Sequence, residues 1–426
     1  MSKVTTDPVR VELTAMSPGG EAVGRVDGLV IFVRYALPDE IVEAAITHRR
    51  RNYARGSATR IVRSSSERVL PRCPHFGVCG GCDWQHADYA AQVRFKTEIV
   101  REQLERIGKL SKPTVHPCIP CPLPYGYRNH TQVALSADGT VGYYVAGTHQ
   151  VTPITTCPIL HPNLEKLLQH LIEARLSRPA GLREIHLRTG VETGEQMLVF
   201  EFESGEPQRL IHHIPAAARP AQTAVCASIP NGDSAVAAGA AVLRERIGQT
   251  LYTYSPTSFF QVNTSMIGPL IENVLRMLEL GGSERVLELY CGAGLFTVPI
   301  AARAAFTLGI ESNSAAARDA QRNLNGSSNA AILVADVRRA LRDSRVRDQR
   351  WDRIVIDPPR TGVDTETLGL VAALGVSRIV YVSCEPATLA RDARRLGDAG
   401  YRVVCAQPLD MFPQTHHVET VAVFER

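Results

Sequence analysis

The stretch RVLELYCGAGLFTVPIAARA, residues 285–304, decides the fold of the C-terminal part of the chain. It begins as a short apolar run typical of a buried strand, turns at Gly292 and Gly294, and continues with an amphipathic helical pattern. The same alternation of strand and helix repeats from about residue 258 onward. Strands covered by helices on both faces read as near-continuous apolar runs, so residues 258–426 are predicted to form a parallel, doubly wound α/β sheet.

Acidic residues follow several strands of this predicted sheet. Glu311 ends the strand after the glycine turn, Asp336 follows the next strand, and Asp357 ends another in IDPPR (356–360). Ligands bind at the carboxyl ends of such strands, where Glu311 can accept both ribose hydroxyls and Asp336 can lie beside an adenine amine. A dinucleotide fold favours a further glycine where Thr297 stands. The pattern resembles the class I S-adenosylmethionine (SAM) fold, and this resemblance implies a SAM site.

The N-terminal region, residues 1–62, consists of short alternating apolar and polar runs separated by Gly and Pro. This pattern predicts a small OB-like β-barrel. The segment GEAVGRVDGLVIFVRYALPDE (20–40) resembles the TRAM domain, an RNA-binding barrel. Between Ala44 and Arg72 eight arginines accompany a single acid, Glu67. Such a basic stripe suits a phosphate backbone, and a solvated basic face is the alternative.

Residues 63–257 are predicted to form a central α+β domain. Apolar residues at helical spacing in 88–108 indicate a packing helix, and we expect the segment of about 88–121 to pack on the C-terminal domain. Runs such as HTQVALSADGTVGYYV and QMLVFEFES suggest an antiparallel sheet. The Ala- and Pro-rich stretch 214–242 is expected to be an irregular surface region.

Three cysteines lie close together in CPHFGVCGGCDWQH, namely Cys73, Cys79 and Cys82. Without an export signal in the sequence, metal ligation is favoured over disulfides. Tetrahedral zinc and a [4Fe–4S] cluster both need four ligands, and the spacing leaves the two open. The candidates for the fourth ligand are Cys157, Cys118 and Cys121.

A further cysteine, Cys384 in YVSCEPATLARD (381–392), ends a predicted strand of the parallel sheet. C5 of a pyrimidine is a poor nucleophile, and a thiolate that adds to C6 activates it for methylation. A base must then remove the C5 proton, and Glu419 at the start of the last predicted strand can act as that base. A buried, inert thiol is the alternative interpretation of Cys384.

Five motifs occur in a fixed order: FFQVN (259–263), LELYCGAGLFT (287–297), IDPPRTG (356–362), VSCEPATLARD (382–392) and DMFPQTHHVET (410–420). Together with the TRAM-like start they resemble the RNA 5-methyluridine methyltransferase family, and most of all its 23S rRNA uracil-C5 branch. The resemblance covers nearly the whole chain. It implies a SAM site lined by Gln261, Tyr290, Glu311 and Asp357.

The same resemblance implies that Cys384 is the nucleophile and Glu419 the general base. It also implies a [4Fe–4S] cluster whose ligands are Cys73, Cys79, Cys82 and Cys157. Two positions depart from the family pattern, because Leu295 stands where Asn is common and Glu385 where Asn or Asp is common. Phe259 and Phe260 are expected either to stack on the target base or to pack in the crevice wall.

The expected partner is 23S rRNA, with the target uridine in a loop or flipped out of a stack. A uridine in the thymine loop of tRNA is the alternative substrate, and a non-catalytic RNA-binding iron–sulfur protein is the alternative class. The TRAM-like barrel and the cysteine cluster favour rRNA. No apolar run of about 18 residues and no export signal occur, so we expect a cytoplasmic monomer without a membrane partner.

Overall fold

The N-terminal barrel is closed. The structure is a computed structural model that describes residues 8–230 and 232–426, so the first seven residues of the predicted region 1–62 lie outside the described part. The barrel strands are β1 (Val9–Met16), β2 (Ala22–Val26), β3 (Leu29–Arg34), β4 (Ile41–Arg49) and β5 (Tyr53–Arg63). They close in the order β1–β2–β3–β5–β4, because β1 pairs with both β2 and β4. The predicted OB-like barrel is confirmed.

Local turn chemistry explains how β2 and β3 are joined. Asp27 and Gly28 form a two-residue connection, and both have positive φ, of 48° and 79°. A type I′ hairpin turn requires positive φ at both central positions, and Asp-Gly is a favoured pair there. The Asp-Gly dipeptide therefore sets the register of this hairpin.

The central region contains one large sheet. Its elements are α1 (Tyr89–Arg106), β6 (His130–Leu135), β7 (Val141–Tyr144), β8 (Val151–Pro153), α2 (Pro162–Glu173), β9 (Leu182–Thr189), β10 (Gln196–Phe202), α3 (Pro207–Leu210), β11 (Thr223–Ser228) and β12 (Ser234–Ala238). The sheet order is β12–β11–β10–β9–β6–β7–β8. All neighbouring pairs are antiparallel except β10 and β11, which are parallel.

Part of the stretch 214–242 does not form the irregular surface region that its composition suggests. Its residues 223–228 form β11, all of whose residues are buried. Small residues fit between a sheet and its neighbouring layers, so an Ala-rich composition here reflects close packing and not exposure. A hairpin of β13 (Leu243–Ile247) and β14 (Thr250–Tyr254) follows.

Helix α1 joins the barrel to the C-terminal domain. Its N-cap is Asp88, whose carboxylate accepts a hydrogen bond from the amide of Ala90. Phe95 and Ile99 belong to the core of the barrel. Val100 and Leu104 belong to a core of the C-terminal sheet, where α1 packs against the helix that follows Cys384. One helix thus buries two apolar faces in two domains.

The C-terminal domain is a seven-stranded sheet with helices between its strands. Its elements are α4 (Thr264–Leu278), β15 (Arg285–Leu289), α5 (Thr297–Ala301), β16 (Phe306–Glu311), α6 (Ser314–Asn323), β17 (Ala330–Val334), α7 (Val337–Arg342), α8 (Ser344–Arg347), β18 (Arg353–Ile356), α9 (Thr365–Ala373), β19 (Arg378–Ser383), α10 (Pro386–Asp398), β20 (Arg402–Leu409) and β21 (Glu419–Glu425). No helix in the described ranges is long and apolar enough to cross a bilayer.

The strand order of this sheet is β17–β16–β15–β18–β19–β21–β20. The strands are parallel except β21, which runs antiparallel to both of its neighbours. The predicted doubly wound sheet is confirmed. The order reverses direction at β15, between β16 and β18, and a ligand crevice forms at such a switch point.

Candidate active site

The glycine turn after β15 leaves open space at the switch point. Tyr290, Gly292 and Gly294 all have positive φ, of 65°, 53° and 84°. No heavy atom lies within 4 Å of the place where a Cβ on Gly292 would stand, whereas a Cβ on Gly294 would stand 3.2 Å from Ala320. Gly294 is therefore needed for close packing on α6, and Gly292 faces open space. A non-glycine residue at positive φ, such as Tyr290, is typical of functional turns.

Glu311 stands beside this turn at the end of β16. Its carboxylate accepts hydrogen bonds from the amide of Gly292 at 3.0 Å and from the amide of Asn313 at 2.6 Å. Asp336 lies farther out, after the edge strand β17, where it is exposed and caps α7 by accepting from the amide of Arg339 at 3.0 Å. The predicted acidic residues thus follow adjacent strands, and Asp336 also has a structural task as an N-cap.

Two of the buried side-chain atoms that have no partner among the described residues belong to the motifs FFQVN and LELYCGAGLFT. They are Oε1 of Gln261 and Oε1 of Glu288. The backbone carbonyl of Gln261 accepts from Asn129 Nδ2 at 3.0 Å, which fixes the residue while its side-chain oxygen stays unpaired. Buried acceptors without a donor are costly, so a ligand with hydrogen-bond donors would satisfy them. The ammonium and hydroxyl groups of SAM are such donors, and these residues fit it.

Cys384 and Glu419 come together because β19 and β21 are antiparallel neighbours. The register ends with the pair of Ser383 and Thr420, so Cys384, directly after β19, and Glu419, directly before Thr420, lie at the same end of this ladder. Asp357 follows β18, the neighbour of β19 on its other side. A thiol and a carboxylate at the carboxyl ends of β19 and β18 therefore meet a second carboxylate at the amino end of β21.

Burial dominates the electrostatics of these three groups. Burial and the nearby Glu419 carboxylate raise the pKa of Cys384 to about 12. Burial, with Asp357 close by, raises the pKa of Glu419 well above its usual range. Burial raises the pKa of Asp357 to about 7, although solvent still reaches part of its side chain. The resting site therefore favours a protonated thiol and a protonated Glu419.

Arg360 is the cation that opposes these shifts, and the sequence reasoning did not single it out. Its guanidinium lowers the pKa of both Cys384 and Glu419. The carbonyl of Arg360 accepts from Thr388 Oγ1 at 3.2 Å, which ties the residue to the helix after Cys384. The sequence feature that could have identified Arg360 is its place in IDPPRTG, because a buried thiol beside carboxylates needs a neighbouring cation to ionise.

The two departures from the family pattern have structural explanations. Leu295 is buried, and its carbonyl accepts from the Tyr252 hydroxyl at 3.0 Å, so this position packs in the core. Glu385 is the N-cap of α10, and its carboxylate accepts from the amide of Ala387. Asn and Asp are also good N-caps, so Glu385 keeps the same local function.

The two phenylalanines before Gln261 have different environments. Phe260 is buried and stacks on Tyr254, with ring centroids 4.5 Å apart and an interplanar angle of 4°. Phe259 is 65% exposed. Phe260 therefore packs in the wall, and Phe259 is the ring that is free to contact a base.

A second candidate site is a cavity of about 150 Å³ lined by four cysteines: Cys73, Cys79, Cys82 and Cys157. The pKa of Cys82 and the pKa of Cys157 are both raised to about 12, mainly because the thiols are buried and also because other cysteines lie close by. Thiolates grouped in this way are unfavourable unless a cation compensates them, so the donor set suits a metal centre.

The rival cysteines lie elsewhere in the described structure. Cys118 is buried in the core shared by α1 and the C-terminal sheet. Cys121 contacts Asn263 Nδ2 at 3.3 Å and Ser265 Oγ at 3.5 Å. Neither lines the cavity of the other four, and none of the ten cysteines, all of which are described, forms a disulfide.

Four of the eight arginines of the stripe form ion pairs once the barrel has folded. The pairs are Arg55 with Glu21, Arg60 with Glu43, Arg63 with Glu12 and Arg68 with Glu40. Their acids come from earlier parts of the barrel sequence. Arg49, Arg50 and Arg51 are exposed at the β4–β5 connection. The basic surface of the barrel is thus concentrated at this turn.

Comparisons with known proteins agree with these features. Residues 241–426 match the tRNA (Uracil-5-)-methyltransferase family, and residues 6–59 match the TRAM domain. The chain is 36% identical to a 23S rRNA (uracil(1939)-C(5))-methyltransferase, RlmD, of Alkalilimnicola ehrlichii, over 100% of this chain and 98% of the relative. It is 35% identical to an uncharacterized RNA methyltransferase of Gloeobacter violaceus, over 98% and 96% of the two chains.

A solved structure is also similar over the full length. It is a tRNA (uracil-54, C5)-methyltransferase of Pyrococcus abyssi in complex with S-adenosyl-L-homocysteine, with a TM-score of 0.72 and 26% identity over 97% of this chain and 99% of the other. The barrel is a TRAM domain and the C-terminal sheet is a SAM-methyltransferase fold. With its opposed Cys384 and Glu419 and its full-length relatives, the chain belongs to the family of RNA uracil-C5 methyltransferases.

Proposed function

We propose that this protein methylates C5 of a uridine in 23S rRNA through a covalent adduct between Cys384 and C6 of the base. The observation that carries the proposal is the opposed placement of Cys384 and Glu419 at the strand ends. A nucleophile and a base must reach the same pyrimidine ring, and this pairing places both on one side of the crevice. A non-catalytic RNA-binding protein would need neither residue.

In the proposed reaction Cys384 is the nucleophile and Glu419 is the base. Glu419, protonated in the resting site, first gives its proton to solvent. Cys384 also gives its proton to solvent and its sulfur bonds to C6, while the C5–C6 π electrons move toward the C4 carbonyl. After C5 has received the methyl group, the Glu419 carboxylate removes the C5 proton. The electrons of that C–H bond re-form the C5–C6 double bond and expel the Cys384 thiolate. The proton held by Glu419 then passes to solvent or to the thiolate.

SAM, when bound, supplies an electrophilic methyl group. We propose that Gln261, Tyr290, Glu311, Asp336 and Asp357 hold it. The support is the unpaired Gln261 Oε1, the open space over Gly292 and the carboxylate of Glu311 fixed beside that turn. Asp336 is the least buried of the set and its carboxylate is already used to cap α7, so we expect its contribution to be the smallest.

We propose that RNA contacts the TRAM barrel through its exposed basic turn at Arg49–Arg51 and that the flipped uridine stacks on Phe259. The exposed ring of Phe259 supports this assignment. An aromatic side chain can stack on any base, and such stacking stabilises a base that has left the RNA stack. Arginines at the turn would bind phosphates without reading the sequence. We also propose that the enzyme acts in the cytoplasm, together with the proposed rRNA substrate.

A uridine in tRNA is the alternative substrate, because a tRNA enzyme shares the architecture of this chain. The Pyrococcus abyssi tRNA enzyme aligns over 97% of this chain, including the barrel. Possession of a barrel therefore does not by itself separate rRNA from tRNA enzymes. Mapping 5-methyluridine by mass spectrometry in rRNA and tRNA, from cells with and without the gene, separates the two. Loss confined to 23S rRNA supports the proposal, and loss confined to tRNA overturns it.

We propose that the four-cysteine cavity holds a [4Fe–4S] cluster. Zinc–thiolate bonds of about 2.3 Å in a tetrahedron put sulfurs roughly 3.8 Å apart. Among the described residues, one group of metal-binding side chains has all its donor atoms within 4.8 Å of one another, namely Glu184, His186 and Glu201. No three of the four cavity cysteines meet that limit. A polynuclear cluster does not require its four thiols to meet that limit, and we expect the cluster to have a structural task.

A further inference from the structure

His417 contacts the guanidinium that faces the nucleophilic thiol. Its Nε2 atom lies 3.3 Å from Nη2 of Arg360. The charge of Arg360 in turn lowers the pKa of Cys384, and the Arg360 carbonyl accepts from Thr388 on the helix that begins two residues after Cys384. A guanidinium has several donors in a fixed fork, so one donor can be held by His417 while another faces the thiol.

The imidazole of His417 is suited to accept a hydrogen bond. Burial, together with His416 and Arg360, lowers its pKa to about 3. The other charged groups that face it are Asp83, which raises this pKa, and Lys96, which lowers it. The ring is therefore neutral, and its Nε2 can accept from Arg360 when the proton is on Nδ1.

The ring of His417 is also fixed in place. Its centroid is 4.1 Å from that of His416 and 6.0 Å from that of Phe412, which meets it edge-on. Its amide donates to Thr415 Oγ1 at 3.3 Å. The loop before β21 thus holds the ring by contacts on both sides and through the backbone.

Contacts from outside the C-terminal domain hold this loop. His416 Nδ1 lies 2.7 Å from Asp83 Oδ2, and Asp83 directly follows Cys82. The carbonyl of Gln414, a residue at φ 70°, accepts from the amides of Asp83 and Trp84 at 3.0 Å each. A Cβ on Gly20 would stand 3.0 Å from His416 Nδ1, so the barrel also closes on this ring.

We propose that His417 is a positioning residue that holds the Arg360 guanidinium against the Cys384 thiol, and that the segment after Cys82 keeps His417 in place through Asp83 and His416. This inference rests on the proposed role of Cys384 as the nucleophile. Without the acceptor on His417, Arg360 is free to turn to solvent, and the thiolate loses its cationic neighbour.

The test measures how readily Cys384 ionises. Wild type, His417→Ala, His417→Gln and Arg360→Ala are alkylated with iodoacetamide between pH 6 and pH 10, and labelling of the Cys384 peptide is quantified by mass spectrometry. We expect labelling of His417→Ala at pH 8 to be about tenfold slower, with the pH dependence displaced upward by about one unit. His417→Gln keeps an acceptor and recovers much of the rate. His170→Ala, on α2 and far from the site, is the matched control and labels as wild type does.

A double-mutant cycle shows whether His417 acts through Arg360. The variant His417→Ala/Arg360→Ala is expected to label no more slowly than Arg360→Ala alone. Additive losses, or labelling of His417→Ala at the wild-type rate, would overturn the proposal. Because His417→Gln is part of the series, misfolding of the alanine variant does not leave the question open. Methyl transfer that persists in Cys384→Ala would instead contradict the proposed nucleophile, and it is read independently of the labelling.

Discussion

Cys384 and Glu419 each lie one position beyond Ser383 and Thr420, the last pair of the ladder between β19 and β21, and the Glu419 carboxylate raises the pKa of the Cys384 thiol. Residues opposed in a sheet have Cβ atoms about 4.5–5.5 Å apart, so the side chains act on the same small volume. Because β21 runs against β19, its first residue meets the last residues of β19. The carboxyl end of a parallel strand and the amino end of an antiparallel one therefore build the reactive site together.

Replacement of the nucleophile tests the covalent route. Cys384→Ala is expected to lose methyl transfer and to form no RNA adduct that survives denaturing electrophoresis, because no other described thiol lies at this strand end. Cys405→Ala, on the neighbouring β20, is the matched control and should keep both. An adduct of wild-type yield in Cys384→Ala would end the assignment.

Replacement of the base separates the two halves of the reaction. Glu419→Gln keeps the size of the side chain but cannot take the C5 proton, so elimination of Cys384 should stall and methylated adduct should accumulate. The readout is intact-protein mass spectrometry after incubation with RNA and SAM. Glu425→Gln, at the far end of the same strand, should turn over normally. Equal adduct levels in the two variants would contradict the role of Glu419.

The buried ion pair between Lys96 and Asp410 anchors the loop that precedes Glu419. Their Nζ and Oδ1 atoms are 2.5 Å apart with both side chains 0% exposed, and Lys96 also donates to the Phe412 carbonyl at 2.9 Å. Lys96→Met leaves a buried carboxylate unpaired and should cost about 3–5 kcal/mol of unfolding free energy, whereas Lys96→Met/Asp410→Leu should recover most of it.

Urea unfolding followed by tryptophan fluorescence measures this loss, because the ring of Trp84 lies 5.9 Å from Lys96 Nζ. A single variant as stable as wild type would show that the pair is dispensable. A double variant as unstable as the single one would show that the loss comes from packing and not from the unpaired charge.

Glu288 should make stability depend on pH. Burial raises its pKa from 4.5 to about 8, with Thr297 Oγ1 donating to one carboxylate oxygen at 2.6 Å. Between these values the folded chain holds a proton that the unfolded chain has released, so this group's contribution to stability falls as pH rises. Glu288→Gln removes this titrating group. As pH rises between the two pKa values, the unfolding free energy of the variant should increase relative to that of wild type by at most about 1.4 kcal/mol per pH unit.

Melting temperatures at pH 5 and pH 8, without SAM, check the sign of this dependence. The difference between Glu288→Gln and wild type should be larger at pH 8. A difference that stays constant or shrinks with rising pH would show that Glu288 ionises normally in the folded protein.

The cysteine cavity predicts which thiols hold the metal centre. After anaerobic purification, Cys157→Ser should lose iron and the absorbance near 400 nm, whereas Cys118→Ser should keep both because Cys118 lies in another core. Metal analysis of the wild type distinguishes the alternatives, since about four irons per chain indicate a cluster and one zinc indicates a tetrahedral site. Loss of iron in Cys118→Ser alone would reverse the assignment.

Much of the architecture could be predicted because it follows from local patterns. Apolar runs after residue 258 and the glycine turn at Gly292 indicate a doubly wound sheet, and the Asp27-Gly28 pair indicates a tight hairpin. The stretch containing β11 was misjudged because Ala-rich composition describes an exposed loop and a tightly packed strand equally well. Composition does not record what packs against a segment.

The sequence by itself determined the kinds of elements, the order of the motifs and the residue types able to do the chemistry, since these depend on neighbours a few positions away. Only the tertiary structure decided which of them meet. It inserted β21 between β19 and β20, paired the barrel arginines with distant acids, and brought His416 to Asp83 across 333 positions. Such contacts form because apolar faces of remote segments are buried together, and no local pattern encodes the partner of each face.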